Sequence, residues 1–311
     1  MNEQEFIDKQ FLALGTVNNI KIYQPVDEKV IQKAIDRIYE IEDRMSAFRP
    51  NSDISTINEN AGKGKTKVHK DTFEVLKAAA HYAKSSKGAY DLTIRPLVEL
   101  WGIGKKDSYI PSNEEINSVI RLVSYKDIIL KEKIGTVELK KVGQKIDLGG
   151  IAKGYAADEV KRILLENNIK NAMINLGGNI LTMGCRKENE PWVIGIQNPL
   201  APTGSYLGTI RLQEKTIVTS GSNERFFMKD GKRYHHILDP ITGAPAESHL
   251  LSVTVVCDSS MEADALTTAM FVMGLEKGLK FLKRFHADAI FITSNMGIYL
   301  TNGLKENFTI A

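Results

Sequence analysis

The sequence predicts an α+β fold: mixed or antiparallel sheets packed with helices in one continuous body over residues 1–311. Two observations lead there. Strand-like segments come in neighbouring runs between amphipathic helices, where a doubly wound parallel sheet would alternate strand and helix one by one. No linker of real length interrupts the chain, so the polar stretch at 105–145 is at most a small lobe of the same body.

The elements follow in order. Residues 11–23 (FLALGTVNNIKIY) mix apolar and polar positions around Gly15, as a bent or bulged strand would. From Glu28 to Met45, Ile31, Ala34, Ile35, Ile38 and Ile41 recur at three- and four-residue steps, the stripe of an amphipathic helix. A loop at 46–55 holds Pro50, and Ser52 is placed to cap the turn that follows. A second helix spans about 71–87, with Phe73, Leu76, Ala80 and Ala83 inward and Gly88 as its stop. Ser112 and Glu115 form a capping box before a helix to about Val123, and IILKEKIGTVELKK reads as a hairpin.

Beyond Ile146, a glycine-rich turn (IDLGGIAKG) enters a helix from about Tyr155 to Asn167. Strand patterns then recur in AMINLGG, WVIGIQNP, SYLGTIRL and TIVTSG, with a hairpin around Asp230-Gly231. LSVTVVC, a long helix over about 261–285 and the strand pair AIFITS and GIYLTN close the pattern.

Composition excludes several classes. At 42% hydrophobic and 25% charged residues the chain is neither disordered nor collagen-like. A net charge of +3 with no basic stripe or aromatic RNP-like run argues against nucleic acid as a partner. Two cysteines, Cys185 and Cys257, form neither a disulfide framework nor a zinc set and read as core thiols. No apolar run reaches the ~18 residues of a spanning helix, and residues 1–10 are polar and mixed in charge.

Four patches break the rules of their own elements. In MEADALTTAMFVMG, Asp264 and Thr268 lie one turn apart on one helix face, a carboxylate and a hydroxyl suited to a hard cation such as Mg²⁺. The plain alternative is that Asp264 caps the helix and Thr268 bonds back to its backbone. The glycine-rich turn carries Asp147 and Lys153, and its backbone groups can face an anion or a cation; a purely structural turn is the alternative. In YHHILDPITGAP, alternation sends His235 and His236 to opposite faces, so at most one enters a site, and a surface pair is the alternative. Phe48, Tyr90 and Trp101 could stack on a planar ring with Asp91 on its polar edge, or simply join the core.

Taken together, the segments LGT, SAFRPNSDIS, GAYDLTIRPLVELWG, DLGGIAKGYAAD, NLGGN, TSGSNERFF, HHILDPITGAP and EADALTTAMFVMG resemble the ApbE family of flavin transferases, in family order over about residues 11–275. Members move FMN from FAD onto a serine or threonine hydroxyl of an acceptor protein through a phosphoester bond. The resemblance implies a T-fold-like, ApbE-type arrangement. It places Mg²⁺ on Asp264, Thr268 and the Gly150 backbone oxygen, and FAD contacts on Leu14, Phe48, Ala89, Tyr90, Asp91, Asp147, Lys153 and Leu238. His236 matches the family's histidine before Asp-Pro and is expected to take the hydroxyl proton, with Lys153 and Asp264 assisting. Leu14 stands where the family usually has Met, and Phe48 where it has Tyr; Phe48 offers no phenolic hydrogen bond.

The same residue set would serve a metal-dependent FAD pyrophosphatase giving FMN and AMP, while a non-catalytic flavin-binding protein would not need a metal on the pyrophosphate. The expected acceptor is a membrane-associated electron-transfer subunit or lipoprotein. That implies maturation of electron-transfer proteins on the extracytoplasmic face of the cytoplasmic membrane, with a signal or lipid anchor ahead of Met1; a cytoplasmic location is the alternative.

Overall fold

A computed structural model of the protein describes residues 6–104, 109–186 and 190–311. The start of the chain at Met1 and residues 105–108 of the polar stretch lie outside the described residues.

The first departure from expectation comes at once. Residues 11–23 are not one bent strand but part of a hairpin in which β1 (Ile7–Ala13) pairs antiparallel with β2 (Thr16–Ile22). The turn residues Leu14 and Gly15 have φ of 55° and 69°, the primed-turn backbone whose twist suits tightly joined strands. A leucine at the first of these positions hides the turn from sequence inspection, because left-handed backbone is ordinarily signalled by Asn, Asp or Gly.

Helix α1 (Glu28–Met45) buries the expected stripe, and Asp27 caps it by accepting from the Lys29 amide. Ser52 caps α2 (Asp53–Glu59) as anticipated. A three-residue strand β3 (Lys65–Lys67) precedes α3 (Lys70–Ser85), and α4 (Arg95–Trp101) opens with a proline in its first turn. The capping box forms at the head of α5 (Asn113–Ile120), with Ser112 and Glu115 satisfying each other's amides. The foreseen hairpin is β4 (Ile128–Lys131) with β5 (Thr136–Leu139).

Next come α6 (Ala152–Glu166), β6 (Ala172–Leu176), β7 (Asn179–Met183), β8 (Trp192–Gln197), β9 (Tyr206–Leu212) and β10 (Thr216–Gly221). The hairpin of β11 (Phe226–Lys229) and β12 (Lys232–His235) turns at Asp230-Gly231. The chain closes with β13 (Leu250–Cys257), α7 (Ser260–Leu282), β14 (Asp288–Thr293), β15 (Ile298–Leu300) and β16 (Phe308–Ile310). Helix α7 is broken at Gly274, where φ is 76° and ψ 177°.

All strand pairs formed by these strands are antiparallel. The main sheet runs β1-β2-β6-β7-β10-β13-β14-β15, and a smaller one runs β16-β9-β8. Alternation divides their side chains between two cores. Val218, Val255, Ala289 and Phe291 face α1, α6 and α7, while Ile217, Val256, Ile290 and Ile292 face Trp192, Ile194, Ile210 and Leu212 of the smaller sheet. The layers are therefore helices, main sheet, small sheet, with β13 buried along nearly its whole length. Each fully buried side chain such as Phe271 or Phe291 contributes about 1.5–3 kcal/mol by leaving water. A third apolar cluster, Leu97, Trp101, Ile116 and Leu238, joins α4 and α5 to the segment after β12. Its Trp101 and Leu238 line a large cavity.

Candidate functional site

That cavity has a volume of about 1290 Å³, and every residue that the resemblance assigned to the site lines it: Leu14, Phe48, Ala89, Tyr90, Asp91, Asp147, Gly150, Lys153, His236, Leu238, Asp264 and Thr268. They arrive from segments far apart in the chain, and each is held by its own local structure.

Phe48, in the loop after α1, is exposed, and its ring lies 4.0 Å from the guanidinium carbon of Arg95. Arg95 is buried and donates to Asp147 Oδ2 at 3.0 Å and to Glu99 Oε1 at 3.0 Å. It thus carries the aromatic ring on its flat face and fixes the glycine-rich turn with its edge. Sequence reasoning passed over Arg95; the TIRP tetrapeptide carried the signal of a short helix with proline in its first turn.

Tyr90 is buried, and its hydroxyl forms no hydrogen bond among the described residues. Burial, then the nearby charges of Asp264 and Asp147, pushes its ionisation well above the ordinary phenol range. Asp91 lines the same wall, yet its carboxylate is committed inward. Oδ1 accepts from the Thr93 amide at 2.9 Å and hydroxyl at 2.7 Å, and Oδ2 accepts from the Tyr125 amide at 2.8 Å. The carboxylate thereby holds the loop in shape while Asp91 lines the cavity.

The glycine-rich turn is organised by Asp147, whose Oδ1 accepts from the Gly149 amide at 2.8 Å. Helix α6 begins at Ala152, three residues earlier than expected, which puts Lys153 in its first turn. A side chain on Gly150 would bring its Cβ within 3.3 Å of both Thr268 Oγ1 and the Tyr90 ring, so the turn and α7 touch there. At Gly154 the approach is closer still, since a Cβ would lie 2.2 Å from the Ser260 carbonyl oxygen.

Asp264 is buried, and its Oδ2 accepts from the Gly154 amide at 3.0 Å. Burial pushes its carboxyl up in pKa, with Lys153 and that amide acting in the opposite sense. The plain alternative for this helix does not hold: Ser259 caps α7, and Thr267, not Thr268, bonds back to the Asp264 carbonyl at 2.8 Å. Asp158, the last residue of the quoted DLGGIAKGYAAD segment and given no role from sequence, accepts from the Ser260 and Met261 amides.

The two histidines separate as alternation requires. His235 is buried against Phe271, with Nε2 3.2 Å from the Ala246 oxygen. His236 borders the cavity, and its Nδ1 lies 3.3 Å from the Arg225 carbonyl, a partner that only an N–H satisfies. Nε2 is then the unprotonated nitrogen. Burial first, then the positive charge of Arg225, pushes the His236 pKa down to about 3, so the ring is neutral at physiological pH.

Asp264, Thr268 and the Gly150 backbone would offer a bound cation oxygen atoms only, which suits a hard cation rather than zinc. The fit is good on two counts. A Cβ on Gly150 would already lie within 3.3 Å of Thr268 Oγ1, so the turn and Thr268 are close, and among the described residues the buried Asp264 carboxylate has no cation at hydrogen-bond distance. No cluster of three or more His, Cys, Asp or Glu suited to a metal occurs among the described residues.

Antiparallel α+β layers around one large cavity, lined by Asp264, Thr268, Gly150 and a neutral His236, define a ligand-binding protein of mixed architecture. The particular family follows from comparison. Residues 14–291 match the sequence model of the ApbE family. The chain is 35% identical over 310 residues to the FAD:protein FMN transferase of Klebsiella pneumoniae (strain 342), covering 99% of this chain and 96% of that one. It is 30% identical to the protein of the same name from Treponema pallidum, covering 96% and 88%. Among solved structures, the ApbE protein of Thermotoga maritima superposes with a TM-score of 0.89 at 32% identity, covering 96% of this chain and 98% of that one. The flavin transferase ApbE of Vibrio cholerae does so with 0.86 at 29%, covering 97% and 99%. The chain belongs to the ApbE family.

Proposed function

We propose that the protein is an FAD:protein FMN transferase, moving FMN from FAD to a serine or threonine hydroxyl of an acceptor protein and releasing AMP. The observation that carries this reading is the meeting of Asp264, Thr268 and Gly150 with a neutral His236 in one cavity large enough for a dinucleotide.

In this reading the isoalloxazine and its phosphates lie among Leu14, Phe48, Tyr90 and Asp147, with Lys153 near the pyrophosphate charge. Asp264, Thr268 and the Gly150 oxygen would hold Mg²⁺, which offsets phosphate charge when bound. The rest is placement. The acceptor hydroxyl attacks the FMN-side phosphorus, the P–O bond to AMP breaks, and His236 Nε2 accepts the hydroxyl proton while Nδ1 stays tied to the Arg225 carbonyl. A ring of depressed basicity takes that proton only as the new P–O bond forms and acidifies the hydroxyl. Lys153 supports the charge that develops on the bridging oxygens. The acceptor in this reading is an electron-transfer subunit or lipoprotein associated with the membrane, and the enzyme works at the extracytoplasmic face.

The test is to incubate the protein with FAD, Mg²⁺ and apo subunits of membrane-associated electron-transfer complexes that each present an exposed Thr or Ser. In-gel flavin fluorescence and an acceptor mass increased by one FMN phosphoester are expected. Free FMN without labelled protein would favour a pyrophosphatase, and intact FAD a flavin-binding protein.

A further inference from the structure

Strand β8 is an edge strand without the usual protection. Native edges carry charged residues or proline, or are very short. Here β1 carries Asp8 and Lys9, β3 and β4 carry lysines, β11 and β12 carry lysines and Arg233, and β15 and β16 have three residues each. By contrast β8, WVIGIQ, has six residues, no charge and no proline, and no strand pairs with its outer side among the described residues.

Its hydrogen-bond parity can be read from its neighbour. In β9 the Arg211 amide donates to the Asn307 oxygen and the Leu207 oxygen accepts from the Ala311 amide, so alternate β9 residues from 207 to 211 point toward β16. Ile210 and Gly208 therefore point toward β8 and exchange bonds with Ile194 and Ile196, their register partners. Val193 and Gly195 lie opposite Arg211 and Thr209 and turn their N–H and C=O groups to the open edge. Val193 is 55% exposed, and the Tyr206 ring packs over the face of Gly195 where a Cβ would lie, leaving its edge-facing backbone groups unpaired by any strand among the described residues.

That edge borders the site. Residues 193–197 all line the same cavity as Asp264 and His236.

We propose that the acceptor protein docks by strand addition: an extended segment bearing the target Thr or Ser pairs with the Val193 and Gly195 backbone groups of β8 and feeds its hydroxyl into the cavity. This rests on the transferase reading above. Backbone pairing supplies affinity that is largely independent of sequence, while the site supplies selection for the hydroxyl.

The test uses the apo subunit labelled in the assay above. Val193→Pro removes an edge N–H that β9 does not use, and Val193→Lys adds the charge that edges ordinarily carry, at an exposed position where folding tolerates it. Both variants should raise the half-saturating acceptor concentration at least tenfold with FAD affinity unchanged, and acceptor should slow hydrogen exchange at the 193 and 195 amides. Should Val193→Pro misfold, Val193→Lys decides alone. Unchanged half-saturation in the folded variants overturns the docking while leaving the transferase reading intact. A wild-type protein that labels no acceptor overturns both. A wild-type dimer that Val193→Pro dissociates assigns the edge to self-pairing and overturns the docking.

Discussion

Asp158 Oδ1 accepts a hydrogen bond from the Ser260 amide at 2.9 Å, joining the second turn of α6 to the first turn of α7. Oδ2 takes the Met261 amide and the Ser259 hydroxyl, each at 3.0 Å. An acid from one helix thus satisfies the orphan amides of another and faces the positive end of its dipole. Because Asp264 follows about one turn later, this bond sets the height of Asp264 along α7. Asp158→Ala should cost about 2–3 kcal/mol of stability, read as a lower midpoint in urea or heat, since hydrogen bonds to a charged acceptor are worth about 1.5–3 kcal/mol and are not additive. Asp158→Asn, which keeps one acceptor oxygen, should recover part of the loss.

Replacing His236 should separate binding from transfer. His236→Ala is expected to lower transfer about 10²–10⁴-fold, the usual range for general-base loss, with FAD affinity unchanged by fluorescence titration. Transfer at wild-type rate would remove the proton-accepting role.

A pH dependence follows from the same ring. Its pKa is depressed in the folded protein, to about 3, against an ordinary value near 6.5. The stability its neutral form contributes is therefore fully present above about 6.5 and is lost as pH falls toward 3. His236→Asn should flatten the decline in thermal midpoint across that window. An unchanged decline would show that the ring is accessible to protons in the folded state.

Divalent cation should stabilise the fold through Asp264. In the wild-type protein, Mg²⁺ at one hundred times its dissociation constant is worth about 2.7 kcal/mol by mass action, visible as a raised thermal midpoint. Asp264→Asn keeps an oxygen for the Gly154 amide but loses the charge, so Mg²⁺ should leave its midpoint unmoved and transfer should be abolished.

Phe48 and Arg95 should behave oppositely although they touch. Phe48→Ala, at an exposed position, should change stability by less than about 0.5 kcal/mol and raise the FAD concentration needed for half-maximal rate. Arg95→Ala leaves Asp147 and Glu99 without their buried partner and should cost about 3 kcal/mol, measured by denaturant midpoint.

Much of this was readable in the chain before the fold. The α1 stripe, the Ser112–Glu115 box and the opposed histidines are local patterns with fixed periods, and local patterns survive folding. What escaped depended on distance or on rare backbone. The Leu14 turn uses a conformation leucine rarely adopts. Strands β3 and β16, at three residues each, are too short for a period to show. The inward commitment of Asp91 needs Tyr125, 34 residues on. The Phe48–Arg95–Asp147 stack likewise joins three segments by packing alone.

The break in α7 at Gly274 gives the site a frame of its own. In an unbroken helix, one residue gained or lost rotates everything beyond it by about 100°. Here the non-helical φ and ψ of Gly274 interrupt that transmission, so Asp264 and Thr268 keep their orientation relative to the Ser259 cap whatever happens beyond the break. The downstream turns are held by packing of their own, with Gly278 against Phe291 and with Phe281 and Leu282 buried. The Asp264–Thr268 segment and the turns beyond Gly274 are thus two helical units, one oriented by the Ser259 cap and the other by its packing on β14.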